Sequence, residues 1–384
     1  MEVKQIYDFV NEAVKQATGQ ENLITEDLSN IVDVGTAIFN ANALDKYVDA
    51  LVNHIGRVVF VTRPYRGVYA KLQMDAWEFG SVMEKITMEL PKAEENESWS
   101  LTPGSVYEEN TFYQPKVTAK FYNKMTTFEI PMSITEKQVK QSFSNSTQLN
   151  SFLSMIYNAI ENALTIKIEE LSRRAVNNMI AETGYDFYGG GSQTASSGIR
   201  AVNLLYLYNT MNGTSLTRAQ ARFDEDFLKF AFYTIATYKN RMASMSVLFN
   251  MGGKERFTPA DRLKFIILSD FAKASEVYLQ SDTFHNEMVK LDGYMETPYF
   301  QGTGTSYDFD DISTIKCKTA DGHTITIEGV VSVLLDNDSV AITNFNRRVT
   351  SKWNAKAEFT NYWYKCDGSY INDGNENCVF FFLA

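Results

Sequence analysis

The residue types that carry chemistry are few in this chain, and their spacing does not bring them together. Its histidines, His54, His285 and His323, are scattered and have no partners at metal-ligand spacing. Cys317, Cys366 and Cys378 are odd in number, sit toward the C-terminal end and form no CxxC pair. That pattern fits a reducing cytoplasm and a fold without disulfides. Gly302-Thr303-Gly304 imitates half of a dinucleotide-binding loop, but no helical pattern follows it. Asp308, Asp310 and Asp311 bring three carboxylates close in sequence, yet the glycine and distal glutamate of a calcium loop are missing. No phosphate-binding GxxxxGK[ST], nucleophile-elbow GxSxG or zinc-binding HExxH occurs. The expectation is no catalytic residues, no cofactor and no metal.

Charge is concentrated elsewhere. Glu94, Glu95, Glu97, Glu108 and Glu109 surround Pro103-Gly104 with no basic residue among them. Such a cluster reads either as a solvated hairpin end or as a contact for basic residues of a neighbour. The face carrying Lys116, Lys120 and Lys124 is the candidate for the second use, since opposed charges set register and partner choice. Over the whole chain, 36 basic residues stand against 47 acidic ones, a net charge of -11. A protein built to neutralise phosphates shows a basic surplus or stripe, and neither is present. No apolar run approaches the ~20 residues needed to span a bilayer, and the N-terminus lacks the pattern of a secretory signal.

These residues must be positioned by elements that the patterning predicts. Ile6, Phe9, Val10 and Val14, then Leu44, Tyr47, Val48, Leu51 and Val52, fall near helical spacing, so residues 1–57 read as an arm with two amphipathic pieces. Val82, Ile86, Met88 and Leu90 recur on even positions. From Phe112 to Ile134, Val117, Ala119, Phe121 and Met125 lie on one face and Lys116, Thr118, Lys120, Tyr122 and Lys124 on the other. The two runs predict a long two-stranded ribbon over 81–134 with an acidic tip. An isolated ribbon of this kind is marginal in water, so a neighbouring subunit is the natural place for it to pack. Residues 148–181 repeat apolar side chains in steps of three and four, with Ser146 and Thr147 as N-caps and Gly184 as terminator. At ~1.5 Å per residue that helix is roughly 50 Å long. Residues 199–340 read as α/β material: a helix from Phe223 to Met242, a short strand Ser246–Phe249, a buried strand Phe265–Leu268 and strands at 324–328 and 330–335. The final 45 residues return to β, through Val340–Thr343, Phe359–Cys366 and Cys378–Leu383.

The order of arm, ribbon, very long helix, α/β region and β-rich return resembles the Hong Kong 97-type major capsid protein of tailed bacteriophages. Asn344-Phe345-Asn346-Arg347-Arg348-Val349-Thr350, Trp353-Asn354, Glu358-Phe359-Thr360-Asn361-Tyr362-Trp363 and Asn375-Glu376-Asn377 look like the ending of phage major head proteins. The resemblance implies an α+β fold with an N-terminal arm (1–57), an E-loop β-hairpin region (58–135), a P-domain (136–184 and 341–384) around a spine helix (148–181), and an A-domain (185–340). It implies a non-enzymatic shell subunit that assembles with itself into the hexamers and pentamers of an icosahedral head. That head encloses double-stranded DNA without sequence-specific binding and without contact to a membrane. A separate scaffolding protein, a portal and decoration proteins are the implied partners. The implied location is the virion capsid, after assembly in the bacterial host cytoplasm. Inter-subunit contacts are expected at Glu94, Glu95, Glu97, Phe121, Lys120 and Lys124 on the ribbon, at Arg347 and Arg348, and at Trp353 and Trp363. The rival readings are an encapsulin-like compartment, a tail or portal protein, and an α/β enzyme using residues 199–340.

Overall fold

The computed structural model describes residues 83–122, 125–135, 146–280, 293–302 and 304–384, together with isolated positions before residue 83. The expected arm over 1–57, His54, His285, Thr303 and Lys124 lie outside the described residues, and the side chains of Glu97 and Arg347 are likewise not described. In chain order the elements are β1 (Met83–Met88), a 3-10 turn (Glu97–Trp99), β2 (Val117–Tyr122), β3 (Met125–Thr135), α1 (Ser146–Phe187), β4 (Ala201–Asn203), α2 (Leu204–Asn212), α3 (Arg218–Ala221) and α4 (Glu225–Ala243). There follow β5 (Leu263–Leu268), α5 (Ser269–Gln280), β6 (Tyr294–Thr297), α6 (Phe309–Ser313), β7 (Ile315–Lys318), β8 (Thr324–Ile327), β9 (Val330–Asp336), β10 (Val340–Asn354), β11 (Phe359–Asn372) and β12 (Cys378–Phe382).

The chain divides into two compact units. The first contains the described parts of Met125–Ala175 and Ala341–Tyr370. Its sheet has the order β10-β11-β3. β3 runs antiparallel to β11, from Phe359 opposite Thr135 to Ser369 opposite Met125. Along β11, Thr360, Tyr362, Tyr364 and Cys366 are buried and Asn361, Trp363 and Lys365 only half-buried, the period-two signature of a strand with one face against a core. Pro131 sits opposite Trp363 on β3, an edge strand, where its missing N–H removes no inner ladder bond.

The second unit contains the described parts of Phe79–Lys124, Val176–Val340 and Ile371–Ala384. Its centre is a five-stranded sheet of order β4-β12-β9-β5-β6. β12 pairs in parallel with β4 and antiparallel with β9; β5 pairs antiparallel with β9 and in parallel with β6. Strands covered on both faces read as unbroken apolar runs, and both Val330–Asp336 and Cys378–Phe382 are buried at every position. Phe380, Phe381 and Phe382 are wholly inaccessible to solvent. Helices α2, α4 and α5 pack nearby: Phe232 stacks on Phe271 at 5.7 Å between ring centroids, and Tyr238 meets Phe381 edge-on at 5.5 Å. Asp224 caps α4 by accepting from the Phe227 amide at 2.8 Å, as the acidic opening of that helix predicts.

Helix α1 is unbroken over 42 residues. From Ile160 to Leu171 it buries one stripe, Ile160, Leu164, Ile168 and Leu171; beyond Ser172 nearly every side chain is covered. The buried hydroxyls of Ser172 and Thr183 donate to the carbonyls of Ile168 and Met179, so neither is orphaned.

Several sequence expectations are corrected. The strand expected from Phe112 to Ile134 is two strands in two sheets, β2 pairing with β1 and β3 with β11. Residues 125–135 therefore find their pairing partner inside the chain, and the ribbon ends at Tyr122. Gly184 does not end α1. A side chain there would meet Ile327 Cδ1 at 2.5 Å, so the glycine permits close packing, and the helix ends near Gly189 and Gly190, whose φ angles are +60° and +81°. Ser246–Phe249 is no strand; it contributes a single bridge, Ser246 to Arg256. Asp308–Asp311 is partly helical: Asp310 and Asp311 are in the first turn of α6.

Candidate assembly interface

The ribbon is formed by β1 and β2 in antiparallel register, Met83 opposite Tyr122 through to Met88 opposite Val117. Alternation separates its faces. Lys85, Thr87, Lys120 and Tyr122 are partly covered, whereas Glu84, Ile86, Met88, Val117, Ala119 and Phe121 are exposed. Beyond the paired strands, every described side chain from Glu89 to Tyr113 is exposed. Within this loop Ser98 N donates to Asn96 Oδ1 at 2.8 Å and Thr102 N to the Tyr107 hydroxyl at 2.9 Å, and Gly104 has φ +87° in the turn. Large apolar side chains stand in solvent along this whole segment, including Trp99 (99% exposed), Val106 (91%), Phe112 (84%), Ile86 (64%) and Phe121 (62%). Exposed large apolar side chains in such number are the kind of surface that contacts with other molecules use.

The inward face is fixed by ions. Lys85 Nζ lies 2.7 Å from Asp373 Oδ2 and 2.8 Å from Glu376 Oε1, and it donates to the Asp338 carbonyl at 3.2 Å. Lys120 Nζ lies 2.9 Å from Asp373 Oδ1. Arg256 Nε reaches Glu376 Oε2 at 3.2 Å, and Lys254 reaches Glu89 at 3.1 Å. Burial alone would raise the Asp373 pKa, but the two lysines outweigh it and hold the carboxyl below its usual range. Burial alone would likewise lower the Lys85 pKa; hydrogen bonds and charge from Asp373 and Glu376 leave it raised. The Tyr122 hydroxyl is pushed well above its ordinary value by burial and then by the charge of Asp373.

The expected contact residues fall into three groups. Glu94, Glu95 and Phe121 are exposed on the ribbon. Trp353 on β10 is 39% exposed and Trp363 on β11 is half-buried. Lys120 and Arg348, by contrast, have partners in their own chain: Lys120 binds Asp373, and the Arg348 guanidinium spans both oxygens of the buried Asp367, at 2.6 and 3.2 Å. Lys120, whose side chain is still 43% exposed, thus has an ion pair within its own chain in addition to the contact with a neighbour's acids expected from the sequence. Sequence reasoning missed Asp373 and Lys85. Asn375-Glu376-Asn377 was singled out beside Asp373, but no local pattern links Asp373 to a lysine nearly three hundred residues earlier.

Nothing in the clefts competes for attention. Among the described residues, clefts of about 730, 650 and 540 Å³ are lined by Arg218 with Asp308–Asp311, by Arg218 with Gln301 and Thr314, and by Gly190–Ala195 with His323, respectively. Arg218 pairs with Asp310 at 2.8 Å, and His323 stacks on Tyr185. Among the described residues no cluster of His, Cys, Asp and Glu could hold a metal, and no helix is long and apolar enough to cross a membrane.

The model of the Phi29-like phage major capsid protein family matches residues 10–382. The chain belongs to that family. Among its relatives, the major capsid protein of Bacillus phage B103 is 25% identical over 186 residues, a stretch covering 46% of this chain and 39% of that protein. The chain thus aligns with about two-fifths of that relative's length. Among solved structures, a chain from the capsid of Staphylococcus phage Andhra superposes with a TM-score of 0.52 at 9% identity, covering 82% of this chain and 83% of the other. A chain from the mature capsid of bacteriophage PhiM1 gives a TM-score of 0.45 at 10% identity over 83% and 88%. The α+β, Hong Kong 97-type capsid fold expected from the element order is therefore the fold of this capsid-family chain, a structural component of a tailed-phage virion.

Proposed function

We propose that the protein assembles with copies of itself, as hexamers and pentamers, into the closed icosahedral head of a tailed phage, enclosing double-stranded DNA. One observation carries this reading: between residues 83 and 122 the ribbon and its loop leave many large apolar side chains exposed, among them Ile86, Trp99, Val106, Phe112 and Phe121. A neighbouring subunit in a shell supplies the missing cover. In this reading residues 58–135 contain the E-loop, α1 is the spine of a P-domain, residues 185–340 form the A-domain, and residues 1–57 are an arm reaching across subunits. Rings closed by heterologous contacts give the capsomers, and ribbons and arms join one capsomer to the next. Glu94, Glu95 and Glu97 at the tip select the docking position through charge. Trp353 and Trp363 act as aromatic contacts on the sheet of the first unit. Arg347 and Arg348 precede that return, with Arg348 holding Asp367.

The protein does no catalysis in this reading and needs no metal or cofactor. It assembles in the host cytoplasm on a separate scaffolding protein and works with a portal and decoration proteins. The net charge of -11 suits a wall that confines DNA without gripping it. Expression of the full chain with a scaffold candidate, viewed by negative-stain electron microscopy, tests the reading. Closed icosahedral shells are expected, and changing Glu94, Glu95 and Glu97 together to Lys impairs them while the subunit stays folded. Tubes or isolated rings would point instead to a tail or portal component. Shells that co-purify with an enzyme and never with DNA would point to a compartment protein.

A further inference from the structure

The base of the ribbon has an electrostatic peculiarity. Lys85 and Lys120 are directly opposite one another in the β1–β2 register. Like charges in that position repel and destabilise a strand pair. Both amines turn to one carboxylate: Asp373 accepts Lys85 on Oδ2 and Lys120 on Oδ1, and its side chain is only 2% exposed.

The turn carrying Asp373 is itself held firmly. Asp373 N donates to the Ser339 carbonyl at 2.8 Å, and Met251 N donates to the Gly374 carbonyl at 2.9 Å. A side chain at Gly374 would meet Met251 Cε at 2.3 Å, and one at Gly252 would meet Asn375 Oδ1 at 2.1 Å, so the two loops are in close contact. Beyond the turn the chain enters β12, the buried strand between β4 and β9. Asp373 is therefore a fixed charge mounted on the core sheet. The ribbon, by contrast, is a two-stranded element of marginal intrinsic stability.

We propose that Asp373 is a positioning residue, a charge lock that joins the ribbon's two strands to the core. Neutralising it releases the ribbon while the five-stranded sheet stays folded. The lock also decides which face the ribbon presents. With Lys85 and Lys120 drawn inward, alternation turns Ile86, Met88, Val117 and Phe121 outward. Glu376 holds Lys85 in addition, so Lys120 depends on Asp373 more heavily than Lys85 does. The lock is intramolecular and independent of assembly. Its importance for docking the ribbon on a second copy rests on the shell reading above.

The experiment is amide hydrogen exchange on the unassembled full-length subunit, comparing the natural chain with Asp373→Asn. Exchange in 83–88 and 117–122 is expected to accelerate at least about tenfold, since the change leaves two opposed amines over a neutral group, while strand 330–336 keeps its protection. Adding Lys120→Met to Asp373→Asn is expected to restore part of the lost protection, because one of the two repelling charges is gone. A role of Asp373 confined to its turn, where it accepts from Asn375 N, predicts no such restoration. Unchanged ribbon exchange in Asp373→Asn, loss of protection throughout the sheet, or no recovery in the double variant would each overturn the proposal. Shell formation by Phe121→Ser, which leaves the lock intact, tests the shell reading separately.

Discussion

The ribbon and the five-stranded sheet are both rich in large apolar side chains, yet they treat them in opposite ways. Phe380, Phe381 and Phe382 on β12 are wholly buried between neighbouring strands and helices, whereas Trp99, Val106 and Phe112 on the ribbon's loop are almost wholly exposed. The difference is not one of composition. Strands β9 and β12 have partners on both sides and are buried at every position, whereas among the described residues the ribbon has its sister strand and an ionic base. A core is specified within one copy of the chain; among the described residues nothing covers the ribbon's outer face, and in the proposed shell a second copy does so.

The largest effect should come from the sheet. Phe381→Ala is expected to lower the unfolding free energy by about 3–5 kcal/mol, the usual range for emptying a buried aromatic site, as read by chemical denaturation of the unassembled subunit. Trp99→Ala, equally drastic in volume, should change it by no more than about 0.5 kcal/mol because nothing in its own chain packs on it. Similar losses for both would erase the distinction. A middle effect belongs to the first unit. Arg348→Met leaves the buried Asp367 carboxylate with the Thr127 hydroxyl but without its guanidinium, and should cost about 1–3 kcal/mol in the same measurement.

pH sharpens the comparison further. Asp373 has its pKa lowered in the fold, so its contribution is complete above the ordinary value of 3.8 and is lost as pH falls through the depressed folded value. Lys85 has its pKa raised, so its contribution is complete below 10.5 and is lost as pH rises through the higher folded value. Between those limits the ribbon's protection factors, exchange rates corrected for the intrinsic pH dependence of amide exchange, should be flat with pH. On acidification the ribbon should lose protection before β9 does. The smallest effect on the lone subunit should be that of Ile86→Ser with Phe121→Ser: a change in unfolding free energy within about 0.5 kcal/mol, but defective shells by electron microscopy.

Much of this architecture was legible from local pattern. The three-and-four spacing from Leu149 onward predicted α1, and unbroken apolar runs predicted β5, β9 and β12, because burial on one or both faces imposes those patterns directly. The change of sheet between β2 and β3 was not legible. Alternation continues through Phe121 and Met125, and nothing local says that pairing passes from β1 to β11, more than two hundred residues away. The same limit hid the lock: Lys120 was singled out as a charged contact, but its partner depends on tertiary folding and the sequence pattern offered only a neighbour's acids. Gly184 misled because a glycine that admits Ile327 looks, in sequence, like one that ends a helix. The separation of the ribbon's two faces, with Val117, Ala119 and Phe121 together on one of them, followed from alternation alone.

The central claim is that the ribbon's outer face is covered by another copy of the chain. Electron cryomicroscopy of the assembled protein at side-chain resolution measures this directly. The account predicts that Ile86, Met88, Val117 and Phe121 lie against a neighbouring subunit and that Lys85 and Lys120 remain on Asp373 of their own chain. Assembled particles in which that face still stands in open solvent would contradict it.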